Sequence, residues 1–306
     1  MVNIAAQINI LFQKASGVVK LLAIDRGNSR TKVGIQHKSG DFEMAIFAND
    51  AEDELLGHIK NLHFDAAIMS SVAAGNLKRV SEYLQSNGKF ISVDSTTPIP
   101  IKSEYATPET LGADRIAGAI GTWKLVGNKD VLLIDAGTCI NYECVVNNIY
   151  KGGAISPGLE MRLKAMHDYT GKLPLLKLPE NEIELTGNST KGCMLSGTIL
   201  GMVNEIEGFA NQYHAKYPAI SMVLSGGDGP FLGKYLGEPL KTKKFKAGKG
   251  EKAEFTFVNE HFETEAQRRN SKFLEVPLKN SIFAQHKEVV LVGLIEILKY
   301  NLNINV

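Results

Sequence analysis

The fold is decided by LAIDRGNSRTK at residues 22–32, which returns in a second version as LLIDAGTCINYE at residues 132–143. In each version an apolar run ends in an aspartate, and a glycine follows two positions later. Such a run is typical of a buried strand, and the glycine permits a tight turn whose backbone can approach a ligand. Asp25 and Asp135 are therefore predicted at equivalent strand ends in two related half-domains that face one cleft.

Length and composition indicate a globular protein with a sizeable core. The chain has 306 residues, of which 44% are hydrophobic, and its net charge is +1. This balance of charge gives no reason to expect binding to nucleic acid or to a membrane. No stretch approaches the roughly 20 apolar residues of a membrane span, and the three cysteines show no CxxC spacing. We expect a cytoplasmic protein.

The order of the predicted elements is that of an α/β protein. A hairpin and a third strand follow the first turn, helices and strands then alternate, and the second version of the turn begins the same order again. We place the boundary in the polar turn GNKD, which gives half-domains over 21–129 and 130–306 after an N-terminal extension over 1–20. A lysine-rich stretch over about 241–274 is predicted to be an insertion.

The first turn has the residues of a phosphate site. Its backbone N–H groups, from Asp25 to Ser29, suit a phosphate, and Lys32 would reach one as a point charge. The Asp25 carboxylate is the kind of ligand that Mg²⁺ prefers. An ordinary hairpin with a solvated aspartate explains one such turn equally well, and it is the second version that favours the phosphate site.

The motif GADR at residues 112–115 stands at the head of an apolar helix. Asp114 suits a general base that takes the proton of a substrate hydroxyl, and Arg115 suits a bidentate contact with an anionic group. A helix cap with a local ion pair is the alternative. The chain has no P-loop, dinucleotide-binding, GxSxG or HExxH motif, which excludes the enzyme classes that depend on them.

Two pairs of glycines add weaker signals. Gly226 and Gly227 follow a predicted strand and let the backbone come close to a ligand, as adenosine would require. Gly197 and Gly201 lie on one face of a long predicted helix. This spacing is typical of close helix packing, and it would also suit a subunit interface.

Several motifs together resemble the type III pantothenate kinases. They run in the family's order from Leu21 to Asp228, and they are DRGNSRTK, Tyr105 with TPETLGADR, IDAGT, YKGGAISPGL, TGKLP, GNST and SGGD. The resemblance implies two ribonuclease-H-like domains, the duplicated actin-like ATPase fold of acetate and sugar kinases, facing a nucleotide cleft. It also implies a homodimer that phosphorylates pantothenate in the first step of coenzyme A biosynthesis, using ATP with Mg²⁺ and a monovalent cation, K⁺ or NH₄⁺.

The resemblance further implies a role for each matching residue. Asp114 resembles the catalytic base, Asp135 the ligand of the monovalent cation, and Asp25 a ligand of Mg²⁺ through water. The residues that resemble the ATP site are Asp25, Arg26, Gly27, Asn28, Ser29, Arg30, Thr31, Lys32 and Thr138. Those that resemble the pantothenate site are Tyr105, Gly112, Ala113, Asp114, Arg115 and Thr190, and this site is expected at the subunit interface.

Three departures and two alternatives stand beside this resemblance. Arg26 is charged where the family often has an apolar residue, and Ile140 and Asn141 occupy positions where it often has threonine. One alternative is a regulator of transcription with the same fold and no activity. Loss of Asp25 or Asp114 would favour such a regulator, and both are present. The other alternative is a sugar kinase of the same superfamily, which is disfavoured by Tyr105 and GADR because they match the pantothenate pocket.

Overall fold

The structure is a computed structural model that describes residues 20–36, 42–72, 77–180, 182–236, 283–285 and 288–304. The insertion expected over about 241–274 and the N-terminal extension up to residue 19 lie outside the described residues. No helix within these ranges is both long enough and apolar enough to cross a membrane.

The first sheet is built around the first turn and has five strands. Its order is β3-β2-β1-β4-β5, with antiparallel pairing from β3 to β1 and parallel pairing from β1 to β5. The strands are β1 (Leu21–Arg26), β2 (Arg30–Gln36), β3 (Phe42–Ala48), β4 (Ala66–Ser71) and β5 (Lys89–Ser92). Helices α1 (Glu52–Lys60) and α2 (Lys78–Asn87) cover one face. In α1, Leu55, Leu56 and Ile59 recur at helical spacing and are buried against the sheet.

The second sheet repeats this arrangement around the second turn. Its strands are β7 (Val131–Ala136), β8 (Cys139–Val146), β9 (Ile149–Pro157), β10 (Ser221–Ser225) and β11 (Phe283–Gln285), in the order β11-β10-β7-β8-β9. A short strand, β6 (Lys102–Ser103), extends the sheet at the outer edge of β9. Apart from β6, the order and the strand directions match those of the first sheet, so the predicted duplication of a ribonuclease-H-like α/β unit is confirmed.

The remaining helices lie on the second sheet or between the two sheets. They are α3 (Ala113–Leu125), α4 (Leu159–Asp168), α5 (Thr190–Lys216), α6 (Gly229–Leu232) and α7 (Val289–Leu302), and a 3₁₀ turn spans Pro108–Thr110. Helices α4 and α5 cover the outer face of the second sheet. Helices α3 and α7 lie between the sheets, where the apolar residues of both halves form one continuous core.

The last helix of each half packs on the sheet of the other half. Helix α7 contacts β1, β2 and β4 of the first sheet, and α3 contacts β7 and β8 of the second. The two helices cross in backbone contact, since a Cβ on Gly121 would lie 1.9 Å from the carbonyl oxygen of Val289 and one on Gly293 would lie 1.7 Å from that of Ala117. Contacts of α3 with the second sheet and of α7 with the first sheet cross the predicted boundary near residue 129. The boundary stays a prediction.

Candidate active site

The two turns of the repeat meet across a cleft. The Ser29 Oγ of the β1–β2 turn lies 3.4 Å from the Thr138 Oγ1 of the β7–β8 turn. These hydroxyl groups belong to opposite sheets and stand 109 positions apart in the chain. The contact therefore places both versions of the motif on facing walls of one site.

Asn49 holds the first turn in shape. Its Nδ2 donates to the carbonyl oxygens of Gly27 at 2.8 Å and Asn28 at 3.0 Å, and its Oδ1 accepts from Thr31 Oγ1 at 2.8 Å. The Gly27 N–H closes the turn on the carbonyl oxygen of Arg30 at 3.1 Å. Sequence reasoning missed Asn49, since nothing in the residues after β3 indicates that they fold back onto a turn 22 positions earlier.

Two glycines from other parts of the second half lie beside the second turn. The Gly158 N–H, just before α4, donates to the Thr138 carbonyl oxygen at 3.1 Å. Gly226 has a φ of +89°, which favours glycine, and a Cβ there would lie 2.1 Å from the carbonyl oxygen of Ala136. Gly226 therefore lies directly against the end of β7 at the second turn, the side where the sequence predicts adenosine.

Asp25 and Asp135 occupy equivalent register positions in the two sheets. Each stands opposite a serine on its parallel neighbour and opposite a different polar residue on its antiparallel neighbour. The partners are Ser70 and Lys32 for Asp25, and Ser225 and Asn141 for Asp135. The lysine of the first turn is thus replaced by asparagine in the second.

Three carboxyl groups share this cleft and perturb one another. Burial raises the pKa of Asp25, although a hydrogen bond of 2.8 Å from Ser70 Oγ and the charge of Lys32 oppose the rise. Burial raises the pKa of Asp135 to about 6, with Lys32 opposing and Asp114 adding to the rise. Burial also raises the pKa of Asp114. Lys32 and Asp114 therefore act on both turns.

The motif GADR, at residues 112–115, lies at the start of helix α3, beside the second sheet. Gly112 precedes the helix, and a Cβ there would lie 2.5 Å from Asp114 Oδ1. The same oxygen accepts from the backbone N–H of Arg115 at 2.9 Å. The Asp114 carboxylate is therefore held at the N-terminus of α3, where the helix dipole favours a negative charge.

Arg115 is paired with a carboxylate that sequence reasoning missed. Its Nε donates to Glu143 Oε1 at 2.5 Å, and its Nη2 donates to Glu143 Oε2 at 3.0 Å. Its Nη1 donates to the Tyr105 hydroxyl at 3.4 Å. Glu143 is a charged residue inside an apolar strand, and such a residue is rarely buried without a partner. That pattern was the available signal.

The other predicted ATP-site residues of the first turn do not all face the cleft. Asn28, Ser29 and Arg30 are exposed in the first turn, while Thr31 is buried against Asn49. The side chains of a strand alternate between its faces, and Leu22 and Ile24 pack under α1 and α2. The Arg26 side chain therefore lies on that face, opposite to Asp25, and its backbone alone stays in the turn.

Arg26 and Thr190 stand apart from the carboxylates in different ways. The Arg26 side chain is buried, and its Nε and Nη1 have no hydrogen-bond partner among the residues that the structure describes. Thr190 is exposed at the first residue of α5, where Ser189 caps the helix by accepting from the Gly192 N–H at 3.1 Å. Within the described residues, Thr190 makes no hydrogen bond to the site of its own chain.

Known proteins resemble this chain over most of its length. A family model described as type III pantothenate kinase matches residues 21–212. The type III pantothenate kinase of Flavobacterium psychrophilum is 39% identical over 220 residues, which cover 71% of this chain and 90% of that protein. That of Christiangramia forsetii is 33% identical over 286 residues, covering 92% of this chain and 98% of that protein.

A solved structure from Campylobacter jejuni is also similar. It is of a protein assigned to the Baf family of transcriptional activators, with 18% identity and a TM-score of 0.49 over 92% of this chain and 99% of that one. A likeness of this size decides nothing about activity, whereas the family model and the relatives of higher identity carry the name of a kinase and do not favour the regulator. The chain belongs to the type III pantothenate kinase family.

Proposed function

We propose that this protein transfers the γ-phosphoryl group of ATP to the primary hydroxyl group of pantothenate, the first step of coenzyme A biosynthesis. The observation that carries the proposal is the meeting of the two turns, with Asp114 and the charge of Lys32 both acting on Asp25 and Asp135. Phosphoryl transfer depends on positioning and on neutralising charge more than on covalent chemistry. The identity to relatives named for this reaction supports the choice of acceptor.

The phosphates of ATP would lie between the two turns. The backbone N–H groups from Asp25 to Ser29 and the hydroxyl groups of Ser29 and Thr138 offer donors from both walls. The charge of Lys32 acts on both Asp25 and Asp135, and it would also offset that of the phosphates. Adenosine would rest against the glycines after β10, of which Gly226 packs at the second turn.

The carboxylates of the cleft fit bound cations. Arg115 is already paired with Glu143, and the charge of Lys32 acts on both Asp25 and Asp135, where a polyanion must bind. Asp25 would hold Mg²⁺ through water, and Asp135 would hold K⁺ or NH₄⁺. When bound, these ions neutralise charge on the phosphates.

Asp114 would act as the general base. Its raised pKa makes the ionised carboxylate a better proton acceptor. The acceptor oxygen forms a bond to the γ-phosphorus, the bond from that phosphorus to the β,γ-bridging oxygen breaks, and ADP leaves. The hydroxyl proton passes to Asp114. Tyr105 and Arg115 would bind the other end of the acceptor.

One coupled assay tests the function. The purified protein is given ATP, Mg²⁺, K⁺ and pantothenate, ADP release is followed, and the product mass is measured. Glucose replaces pantothenate in a parallel reaction to test the sugar kinase alternative. ADP release that is the same with and without pantothenate would instead support a protein without this activity.

We expect a homodimer in which each site takes Thr190 of the partner subunit. Two features of α5 support this arrangement. Thr190 is exposed, and a Cβ on Gly197 or Gly201 would meet nothing within 4 Å, so the described part of the chain does not supply the predicted close packing of this helix. The three cysteines are unpaired, which suits a reducing compartment, and we place the enzyme in the cytoplasm.

Mixing two inactive variants tests the shared site. Asp114→Asn and Thr190→Arg protein should each be inactive alone, because each damages every site. After subunit exchange about half of the dimers are mixed, and one of the two sites in each is intact, so about a quarter of wild-type activity should return. If Asp114 and Thr190 of the same chain formed one site, the mixture would stay inactive.

The requirement for K⁺ should depend on pH. Burial raises the pKa of Asp135 to about 6, so protons compete with the cation for this carboxylate below that pH. The K⁺ concentration that gives half-maximal activity should rise about tenfold for each pH unit below 6 and level off above it. Titrations with K⁺ from pH 5 to 8 measure this, with Asp135→Asn as the comparison. A K⁺ requirement that stays constant across this range would contradict the role of Asp135.

We also expect the protein to work on free small molecules. The charges of the whole chain nearly cancel, with 34 basic and 33 acidic residues. This balance gives no general attraction to nucleic acid or to a membrane surface.

A further inference from the structure

Glu143 is a buried carboxylate whose two oxygens are both in use. The side chain is 1% exposed and lies on β8. Besides the two hydrogen bonds from Arg115, Oε2 accepts from the Tyr150 hydroxyl on β9 at 2.5 Å. A buried carboxylate is costly unless it is paired and hydrogen-bonded. Here every partner comes from the acceptor side of the cleft.

The pairing decides which part of Arg115 is free. A guanidinium group has five N–H donors in a planar fork. Glu143 takes Nε–H and one N–H of Nη2, and Tyr105 takes one N–H of Nη1. One N–H on each terminal nitrogen is left to donate to a carboxylate. The centroid of the Tyr105 ring also lies 5.7 Å from the guanidinium carbon, within the range of a cation–π interaction.

We propose that Glu143, supported by Tyr150, is the positioning residue of the acceptor pocket and turns the free end of Arg115 toward the carboxylate of the acceptor. This inference rests on the proposed function, since pantothenate supplies that carboxylate. Glu143 itself touches no substrate. It makes the enzyme selective for acceptors that carry an anionic group, and it neutralises the charge of Arg115 when the pocket is empty.

Arg115 links Glu143 to Asp114, so Glu143 has a role in the site that support of the fold alone would not give it. Arg115 donates its backbone N–H to Asp114 and its side chain to Glu143. Placing the acceptor and placing the base therefore depend on one residue. A change at Glu143 should weaken binding of the acceptor and leave ATP, on the other side of the cleft, bound as before.

The experiment compares wild-type protein with Glu143→Gln, Tyr150→Phe and a control, Glu205→Gln. Glu205 is a matched control because it also pairs with an arginine, Arg162, and accepts from a tyrosine hydroxyl, that of Tyr142 at 3.1 Å, on the outer face of the same sheet. For each protein kcat and KM are measured for ATP, for pantothenate and for pantothenol, in which an alcohol replaces the carboxylate. Thermal unfolding is recorded for all four.

Glu143→Gln should raise KM for pantothenate about 10-fold to 100-fold, with KM for ATP unchanged. The wild-type preference for pantothenate over pantothenol should fall by the same factor, because pantothenol does not use the charge of Arg115. Tyr150→Phe should act in the same direction by about threefold to tenfold, and it keeps the inference testable if Glu143→Gln does not fold. Glu205→Gln should match wild type in every constant.

Three results would overturn the inference. Unchanged KM and selectivity in Glu143→Gln or, if that variant does not fold, in Tyr150→Phe would mean that Glu143 does not position Arg115. Equal losses for ATP and pantothenate, or the same loss in Glu205→Gln, would mean a general effect on the fold. Wild-type protein that releases no ADP with pantothenate would overturn the proposed function as well, and that outcome is visible before any variant is made.

Discussion

Asp114→Asn should lower kcat about 10²-fold to 10⁴-fold and leave ATP binding nearly unchanged. The amide has the shape of the carboxylate but cannot take the proton of the acceptor hydroxyl. Asp114 lies at the N-terminus of α3, and its Oδ1 accepts from the Arg115 N–H at 2.9 Å, so an amide oxygen can keep that bond. Steady-state kinetics with saturating pantothenate give kcat, and calorimetric titration with a nonhydrolysable ATP analogue gives Kd.

Asp53→Asn is the control for this substitution. Asp53 is an exposed aspartate near the start of α1, paired with Arg79 on α2 and outside the cleft. The control should keep wild-type kcat. If Asp114→Asn also keeps it, another group must accept the proton and the assignment of the base is lost. If ATP binding falls together with kcat, Asp114 acts through the nucleotide rather than through the acceptor.

Gly293→Ala should lower the free energy of unfolding by about 1–3 kcal/mol or more. The added Cβ would lie 1.7 Å from the carbonyl oxygen of Ala117 and 2.8 Å from the backbone nitrogen of Gly121, so the helices α3 and α7 would have to move apart. That movement would open the core between the two sheets. Urea unfolding followed by circular dichroism gives the change as a shift of the midpoint.

Gly57→Ala is the control for Gly293→Ala, since Gly57 is also a glycine within a helix. Gly57 lies within α1, and an added Cβ would meet no described atom within 4 Å. Alanine favours a helix over glycine, so this variant should be more stable by about 0.5–1 kcal/mol. Gly293→Ala should therefore differ from it in sign. Equal stabilisation in both would show that the crossing of α3 and α7 yields easily to a methyl group.

The local features of the two turns could be predicted from the sequence. An apolar run, an aspartate and a glycine stand within a few residues of each other, and the strand and turn they form depend on those residues alone. This was enough to predict Asp25 and Asp135 as strand ends and to predict the duplicated sheet, which the strand order confirms. Alternation along β1 would also have shown that Arg26 faces away from Asp25.

The contacts between distant residues could not be predicted in this way. The pairing of Arg115 with Glu143 joins residues 28 positions apart, on α3 and β8, and depends on how α3 packs against the second sheet. Lys32 was predicted to act in the first turn, and in the structure its charge also acts on Asp135 of the second. Both arrangements follow from the packing of the two halves, which no local pattern describes.

Helix α3 packs on the second sheet and helix α7 on the first, and this arrangement has a consequence for synthesis of the chain. The first sheet is made well before α7, which begins at Val289 and covers the apolar residues Leu21, Ala23 and Ile68. At about 5–20 residues per second, the wait from residue 129 to the end of α7 lasts roughly 10–35 s. During that time these apolar residues lack the helix that covers them in the folded protein, so we expect the nascent chain to be open to chaperone binding at this stage.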